Sequence, residues 1–160
     1  MLKTTGYDIV FQEIPGETTL AINLSNCPFR CPGCHSPYLQ EDVGTPLTEE
    51  LLFNFIEKYA DEITCIAFMG GDSDATSLYG YMKLIKEKYP NLKTAWYSGR
   101  ISEIGVEKVL SYLDFIKLGP YREELGSLKS RNTNQRLYKI VDGTKLKDIT
   151  DRFWELPSRT

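Results

Sequence analysis

Three cysteines stand close together near the start of the chain, at positions 27, 31 and 34. The segment that holds them reads CPFRCPGC, and its proline and glycine residues favour a loop with little bulk around the sulfur atoms. Iron–sulfur clusters are ordinarily held by four cysteine thiolates. Thiolates of Cys27, Cys31 and Cys34 would therefore hold three irons of a 4Fe–4S cluster and leave the fourth iron open to a substrate.

The same three thiolates also suit a structural zinc site. Zinc is usually held by four ligands in a tetrahedron, so His35 or Cys65 would have to supply the fourth. His35 directly follows Cys34, which makes it a poor partner for the same metal ion. Cys65 lies within an apolar run, where a small buried side chain is the simpler interpretation. The spacing alone leaves both metals open.

The composition is that of an ordinary soluble domain. The 160 residues are 41% hydrophobic and 26% charged, which supplies enough apolar material for one core. The formal net charge of -3 gives no general attraction to nucleic acid or to an anionic membrane. The chain shows neither an export signal nor an apolar run of the roughly 18 residues that span a membrane. We expect one domain over residues 1–160, located in the cytoplasm, with neither nucleic acid nor membrane as a partner.

The elements that must position the cysteines alternate between strands and helices. An opening hairpin is predicted from strands over 7–14 and 18–24, and the cysteine segment follows it directly. Helices are predicted over 48–59 and 76–89 and again after Ser102, because apolar residues recur there at helical spacing. Apolar runs predict strands that end near 69, 97 and 118, and a further strand is predicted over 137–141. This alternation predicts an α/β fold with a mostly parallel sheet.

The length of the chain limits how far such a sheet can close. A complete eight-fold barrel takes about 250 residues, so we expect an open, partial (β/α) barrel. In parallel sheets of this kind, ligands bind beyond the carboxyl ends of the strands. The cysteine segment, Gly70-Gly71-Asp72 and Ser98-Gly99 each follow a predicted strand at that edge. We therefore expect three loops to converge on one site.

The spacing of the cysteines, with three and then two residues between them, is similar to the cluster motif of the radical S-adenosylmethionine superfamily. A second match lies one β-α unit later, where Gly70-Gly71-Asp72 resembles the Gly-Gly-Glu segment that receives the methionine amino group in that superfamily. The resemblance implies the superfamily's open partial barrel, with a core at about 13–120 and a C-terminal extension over 121–160.

Within the superfamily, the chain most resembles the activating proteins of anaerobic ribonucleotide reductases. The resemblance rests on the short length, the Cys-Pro-Gly-Cys stretch at 31–34 and the later Asn134-Gln135-Arg136. It implies that S-adenosylmethionine binds the open iron and is cleaved reductively to methionine and a 5′-deoxyadenosyl radical. That radical would take a hydrogen atom from a glycine of the reductase. The resemblance also implies a flavodoxin-like or other low-potential electron donor. It implies no catalytic side chain beyond the cluster ligands.

Further contacts with S-adenosylmethionine are expected from residues near the cluster. His35 or Phe29 is a candidate contact for the adenine ring, since Gly33 stands where the superfamily often has an aromatic residue. Ser98 is a candidate contact for the carboxylate or ribose, and its alternative role is to satisfy backbone groups at the strand end. The polar segment 129–136 is a candidate docking site for a partner, or else a solvated loop.

Two other functions are compatible with the sequence. One is a different radical S-adenosylmethionine enzyme, either an activase of the pyruvate formate-lyase type or an enzyme that acts on a small molecule. The other is a binding module that is stabilised by zinc and has no catalytic activity. The metal that the protein binds separates the second function from the first.

Overall fold

The computed structural model of the chain describes residues 2–25, 41–142 and 144–154. Eight strands of this part form one mixed sheet, which is flanked by helices. The strands are β1 (Lys3–Val10), β2 (Thr19–Leu24), β3 (Thr45–Pro46), β4 (Cys65–Met69), β5 (Lys93–Tyr97), β6 (Phe115–Leu118), β7 (Arg136–Val141) and β8 (Lys145–Asp148). The α-helices are α1 (Glu49–Tyr59) and α2 (Ala75–Lys88), and short 3₁₀ helices cover Asp72–Asp74, Glu107–Tyr112 and Thr150–Trp154.

The parallel part of the sheet lies at its centre. The strand order is β3-β1-β2-β4-β5-β6-β7-β8, and β2, β4, β5 and β6 run parallel to one another. The outer strands β1, β3, β7 and β8 pair antiparallel, so the sheet as a whole is mixed. The central parallel strands agree with the alternation of strands and helices in the sequence. The closure of the sheet into a partial barrel and the organisation as a single domain stay predictions.

Helix α1 forms where the sequence predicted it. Thr48 has an extended backbone, and its hydroxyl accepts a hydrogen bond from the N–H of Leu51 over 3.1 Å. Acidic residues occupy the first turn, where they favour the positive end of the helix dipole. Leu52 and Ile56 recur at helical spacing and are buried.

Helix α2 begins one residue before its predicted start. Asp74 caps it, because one carboxylate oxygen accepts from the N–H of Ser77 over 3.2 Å and the other from the Ser77 hydroxyl over 2.7 Å. Its buried face consists of Leu78, Met82 and Ile85, and the helix ends two residues before Pro90. The crossover between β4 and β5 is therefore fixed at its start by a side-chain cap.

The prediction of a helix that begins after Ser102 is wrong. Gly105 has a left-handed backbone, with φ at +92°, which interrupts a right-handed helix at that point. Only a short 3₁₀ helix follows, from Glu107 to Tyr112, and it is anchored by the buried side chains of Val109 and Leu110. The chain between 99 and 106 is consequently a loop at the carboxyl end of β5.

The two faces of the sheet have different coverings. One face packs against α1, α2 and the 3₁₀ helix at 107–112 and forms the larger core. The opposite face, here called the inner face, forms a smaller core with residues of the first hairpin and of the C-terminal segment. The buried residues of that smaller core are Ile14, Cys65, Ala67, Ala95, Phe115, Leu137 and Ile149.

Candidate functional site

The carboxyl ends of the four parallel strands lie side by side at one edge of the sheet. The register pairs Met69 of β4 with Tyr97 of β5, and Tyr97 with Lys117 of β6. The pairing continues into the loops, because the N–H of Gly70 donates to the carbonyl of Tyr97 over 3.0 Å and that of Ser98 to the carbonyl of Lys117 over 2.9 Å. The structure thus brings together the loops that begin at residues 70 and 98. We call this edge the ligand edge.

The two glycines after β4 let their turn approach the end of β2. Their φ angles are +104° at Gly70 and +91° at Gly71, in the region that favours glycine. A Cβ on Gly70 would lie 3.2 Å from the carbonyl oxygen of Leu24, and one on Gly71 would lie 2.9 Å from Leu24 Cδ1. Since Leu24 is the last residue of β2, the turn packs against the strand that leads into the cysteine segment.

The carboxylate of Asp72 joins the loops that follow β4 and β5. Only 1% of its side chain is exposed. The hydroxyl of Ser98 donates to Oδ1 over 2.5 Å, and the N–H of Gly99 donates to Oδ2 over 3.2 Å. The Nε atom of Arg100 lies 3.5 Å from Oδ1. Burial raises the pKa of Asp72, and the contacts with Ser98, Gly99 and Arg100 act in the opposite direction.

These contacts occupy two side chains that were predicted to bind S-adenosylmethionine. Ser98 is fully buried, and besides donating to Asp72 its hydroxyl accepts from the N–H of Arg100 over 3.0 Å. Among the described residues, Asp72 and Ser98 brace one loop against the other. A direct contact between either residue and a ligand stays a prediction.

A row of side chains that crosses the inner face was not predicted from the sequence. Asn23, Met69, Tyr97 and Lys117 are cross-strand neighbours, and each stands near the carboxyl end of its strand. Neighbouring residues along each strand alternate to the helix-covered face. The signal that could have revealed the row is the alternation of side chains between the two faces of each strand. In the strand FIKL, which spans 115–118, the lysine interrupts an apolar run.

Lys117 is the most unusual member of that row. Only 8% of the residue is exposed, and lysine is among the residues that are least often fully buried. Its Nζ atom donates to the carbonyl of Gly119 over 3.1 Å and lies 5.6 Å from the centre of the Tyr97 ring. Burial raises the pKa of Tyr97, whose hydroxyl donates to the carbonyl of Glu13, so this phenol stays neutral. The row therefore offers a buried positive charge beside the ligand edge.

The described residues contain no group of three or more His, Cys, Asp or Glu side chains that could hold a metal ion. Cys65 is buried within β4, and burial raises the pKa of its thiol to about 12, which disfavours the thiolate that binds metals. The predicted ligands Cys27, Cys31 and Cys34, and the predicted adenine contacts at positions 29 and 35, lie outside the described residues. No helix in the described part is long and apolar enough to cross a membrane.

Comparison with known proteins identifies the class of cofactor. No curated protein and no solved structure matches the chain. The family described as the 4Fe-4S single cluster domain matches residues 15–141, a range that includes the cysteine segment and the loops of the ligand edge. The prediction of an iron–sulfur cluster is thereby confirmed, and such a cofactor is compatible with a redox enzyme. The chain belongs to the 4Fe-4S single cluster domain family and is an iron–sulfur, metal-binding protein.

Proposed function

We propose that this protein is a radical S-adenosylmethionine enzyme, which uses its 4Fe–4S cluster to cleave S-adenosylmethionine reductively. The proposal rests on the arrangement of two motifs at the ligand edge. The cysteine segment begins directly after β2, and the Gly70-Gly71-Asp72 turn packs against the last residue of the same strand. The two motifs that resemble the superfamily therefore belong to neighbouring parallel strands whose carboxyl ends meet.

We assign Cys27, Cys31 and Cys34 as the ligands of the cluster, and one iron is left for the substrate. The cluster, when bound, supplies the electron that breaks the bond between sulfur and C5′ of S-adenosylmethionine. The polypeptide orients the substrate and excludes water and oxygen. Oxygen sensitivity of such a cluster agrees with a reducing cytoplasm as its location.

The inner face supplies groups that suit the substrate. S-adenosylmethionine carries a carboxylate, and the ammonium of Lys117 is a buried cation beside the ligand edge. Asp72 and Ser98 support this arrangement because they hold the turns after β4 and β5 in fixed relative positions. In this proposal the inner face becomes the inside of an open partial barrel, of the kind that the sequence predicts.

The proposed protein substrate is an anaerobic ribonucleotide reductase, on which the enzyme would generate a glycyl radical. The resemblance of segment 134–136 to the activating proteins supports this assignment. The loop after β5 also presents two isoleucines to solvent at the ligand edge, where Ile101 is 84% exposed and Ile104 is 76% exposed. Exposed apolar side chains beside a site favour a macromolecular partner, which covers them on binding. A flavodoxin-like or other low-potential protein would supply the electron.

The experiment that tests the proposal is a cleavage assay. Protein that has been reconstituted anaerobically with iron and sulfide is reduced and incubated with S-adenosylmethionine, and 5′-deoxyadenosine and methionine are quantified. We expect both products in equal amounts from the wild type and from Cys65→Ala, and neither from Cys31→Ala. Addition of the reductase should then produce the signal of a glycyl radical. Cluster-loaded wild type that yields no 5′-deoxyadenosine would refute the enzyme assignment, and cleavage without a glycyl radical would refute only the proposed partner.

A further inference from the structure

The turn that follows β6 is held by hydrogen bonds from several sides. The N–H of Gly119 donates to the carbonyl of Arg100 over 2.6 Å. The carbonyl of Gly119 accepts from Nζ of Lys117 over 3.1 Å and from Nε2 of Gln135 over 3.4 Å. Gly119 has a φ of +105°, and a Cβ there would lie 3.1 Å from Cα of Gln135. The turn after β6 is therefore fixed against the residues that precede β7.

Asn134 makes the next contact of this turn. Its Nδ2 atom donates to the carbonyl of Pro120 over 3.0 Å. This bond fixes which way the amide faces, because the opposite orientation would set two carbonyl oxygens against each other. The Oδ1 atom of Asn134 consequently lies on the side of the amide that faces away from the carbonyl of Pro120. It is buried and has no hydrogen-bond partner among the residues that the structure describes.

Two further buried side-chain atoms lack a hydrogen-bond partner in the described ranges, and each differs from Asn134 Oδ1. The Nε atom of Arg100 lies 3.5 Å from the carboxylate of Asp72, so a charge of opposite sign compensates it. Thr19 pairs with Cys65 at the opposite end of the sheet. Of the three atoms, Asn134 Oδ1 is the one that stands at the ligand edge without a compensating group.

We propose that Asn134 Oδ1 accepts a hydrogen bond from a neutral hydroxyl or amino group on the nucleoside half of S-adenosylmethionine. Arg136, two residues further on, pairs with Leu118 at the end of β6, which places Asn134 just beyond the carboxyl end of that strand. The ammonium of Lys117 donates to the carbonyl of Gly119, in the same turn. This cation disfavours the ammonium of the ligand at this position and leaves its neutral donors.

This inference rests on the proposed function and deepens it. The test compares the binding of ligand analogues by wild type and by variants of Asn134. The ligands are S-adenosylmethionine and three analogues, which lack the 2′-hydroxyl, the 3′-hydroxyl or the 6-amino group. Dissociation constants are measured from the change that each ligand causes in the spectrum of the cluster. We expect wild type to bind one analogue about ten-fold more weakly, which corresponds to about 1.4 kcal/mol. Asn134→Ala should bind S-adenosylmethionine and that analogue with equal affinity.

Two variants make the result specific to the Oδ1 atom. Asn132→Ala changes an exposed residue of the same segment and should discriminate as wild type does. Asn134→Ser removes Oδ1 while it keeps a small polar side chain, so it should lose the discrimination, and it takes the place of Asn134→Ala if that variant does not fold. The inference is overturned if each analogue loses the same factor in affinity in wild type and in Asn134→Ala, or if Asn134→Ser discriminates as wild type does. Failure of cluster-loaded wild type to bind S-adenosylmethionine would overturn the proposed function and this inference together.

Discussion

Replacing Ser98 with alanine tests whether the loops after β4 and β5 brace each other. The Ser98 hydroxyl donates to the carboxylate of Asp72 and accepts from the N–H of Arg100, and the residue is fully buried. A hydrogen bond to a charged group contributes about 1.5–3 kcal/mol, and a bond between neutral groups about 0.5–1.5 kcal/mol. Ser98→Ala should therefore lower the free energy of unfolding by about 2–4 kcal/mol. In a domain of this size, the midpoint of thermal unfolding should fall by roughly 5–15 °C.

The loss should also depend on pH. Burial raises the pKa of Asp72, and the bond from Ser98 is the strongest of the contacts that lower it again. A carboxyl group with a raised pKa contributes stability below its unfolded pKa of about 3.9, and this contribution is lost as the pH rises through the folded value. Without Ser98 the folded pKa of Asp72 rises further, so the loss becomes larger. Ser98→Ala should consequently be more destabilising at neutral pH than under mildly acidic conditions.

The assay is anaerobic urea unfolding of cluster-loaded protein at about pH 5 and at about pH 8, followed by circular dichroism. Ser102→Ala is the matched control, because the Ser102 hydroxyl accepts only from the exposed N–H of Ile104 among the bonds that the structure describes. The control should lie within about 0.5 kcal/mol of wild type at both pH values. A Ser98→Ala variant that is as stable as the control would refute the bracing role of Asp72, and a loss that is equal at both pH values would refute its dependence on the protonation of Asp72.

Three further predictions follow from the described contacts and the assigned ligands. Trp96→Phe removes the indole N–H that donates to the carbonyl of Gly70 over 2.8 Å, and urea unfolding should show a loss of about 1–2 kcal/mol; unchanged stability would mean that this bond does not hold the turn. Cys31→Ala should abolish the cluster absorption near roughly 400 nm and Cys65→Ala should retain it, whereas loss in both would show that the ligand assignment is wrong. Lys117→Met should weaken binding of S-adenosylmethionine by about ten-fold in a spectroscopic titration while cluster content stays constant, and unchanged affinity would exclude Lys117 as a contact of the ligand.

The elements that position the ligand edge could be predicted because local and long-range signals agree there. Thr48 caps α1 through its own hydroxyl, and the apolar runs of β4 and β5 are short and bounded by turn residues. The prediction of a helix after Ser102 was wrong. Ile104 and later apolar residues recur at helical spacing, but Gly105 adopts a left-handed backbone, which the spacing does not reveal. The opening hairpin and β7 were predicted, but the short outer strands β3 and β8 escaped prediction, as did the order of strands, which depends on contacts between distant parts of the chain.

The chemistry of the site could be predicted in part. The cluster could be predicted from the three cysteines together with the resemblance of their spacing to a known cluster motif, because that motif is local in the sequence. The contacts of Asp72 with Ser98 and Gly99 join residues that are 26 and 27 positions apart, and they depend on the parallel register of β4 and β5. The position of Lys117 on the inner face depends on which residue of a short apolar strand begins the alternation. These features required the structure.

The most direct test of the central claim is electron paramagnetic resonance of the reduced, reconstituted protein with and without S-adenosylmethionine. We expect the signal of a reduced 4Fe–4S cluster, held by Cys27, Cys31 and Cys34, to change when S-adenosylmethionine is added, because the ligand binds the open iron. A cluster signal that S-adenosylmethionine leaves unaltered would contradict this proposal, since it would mean that S-adenosylmethionine does not bind an iron of the cluster.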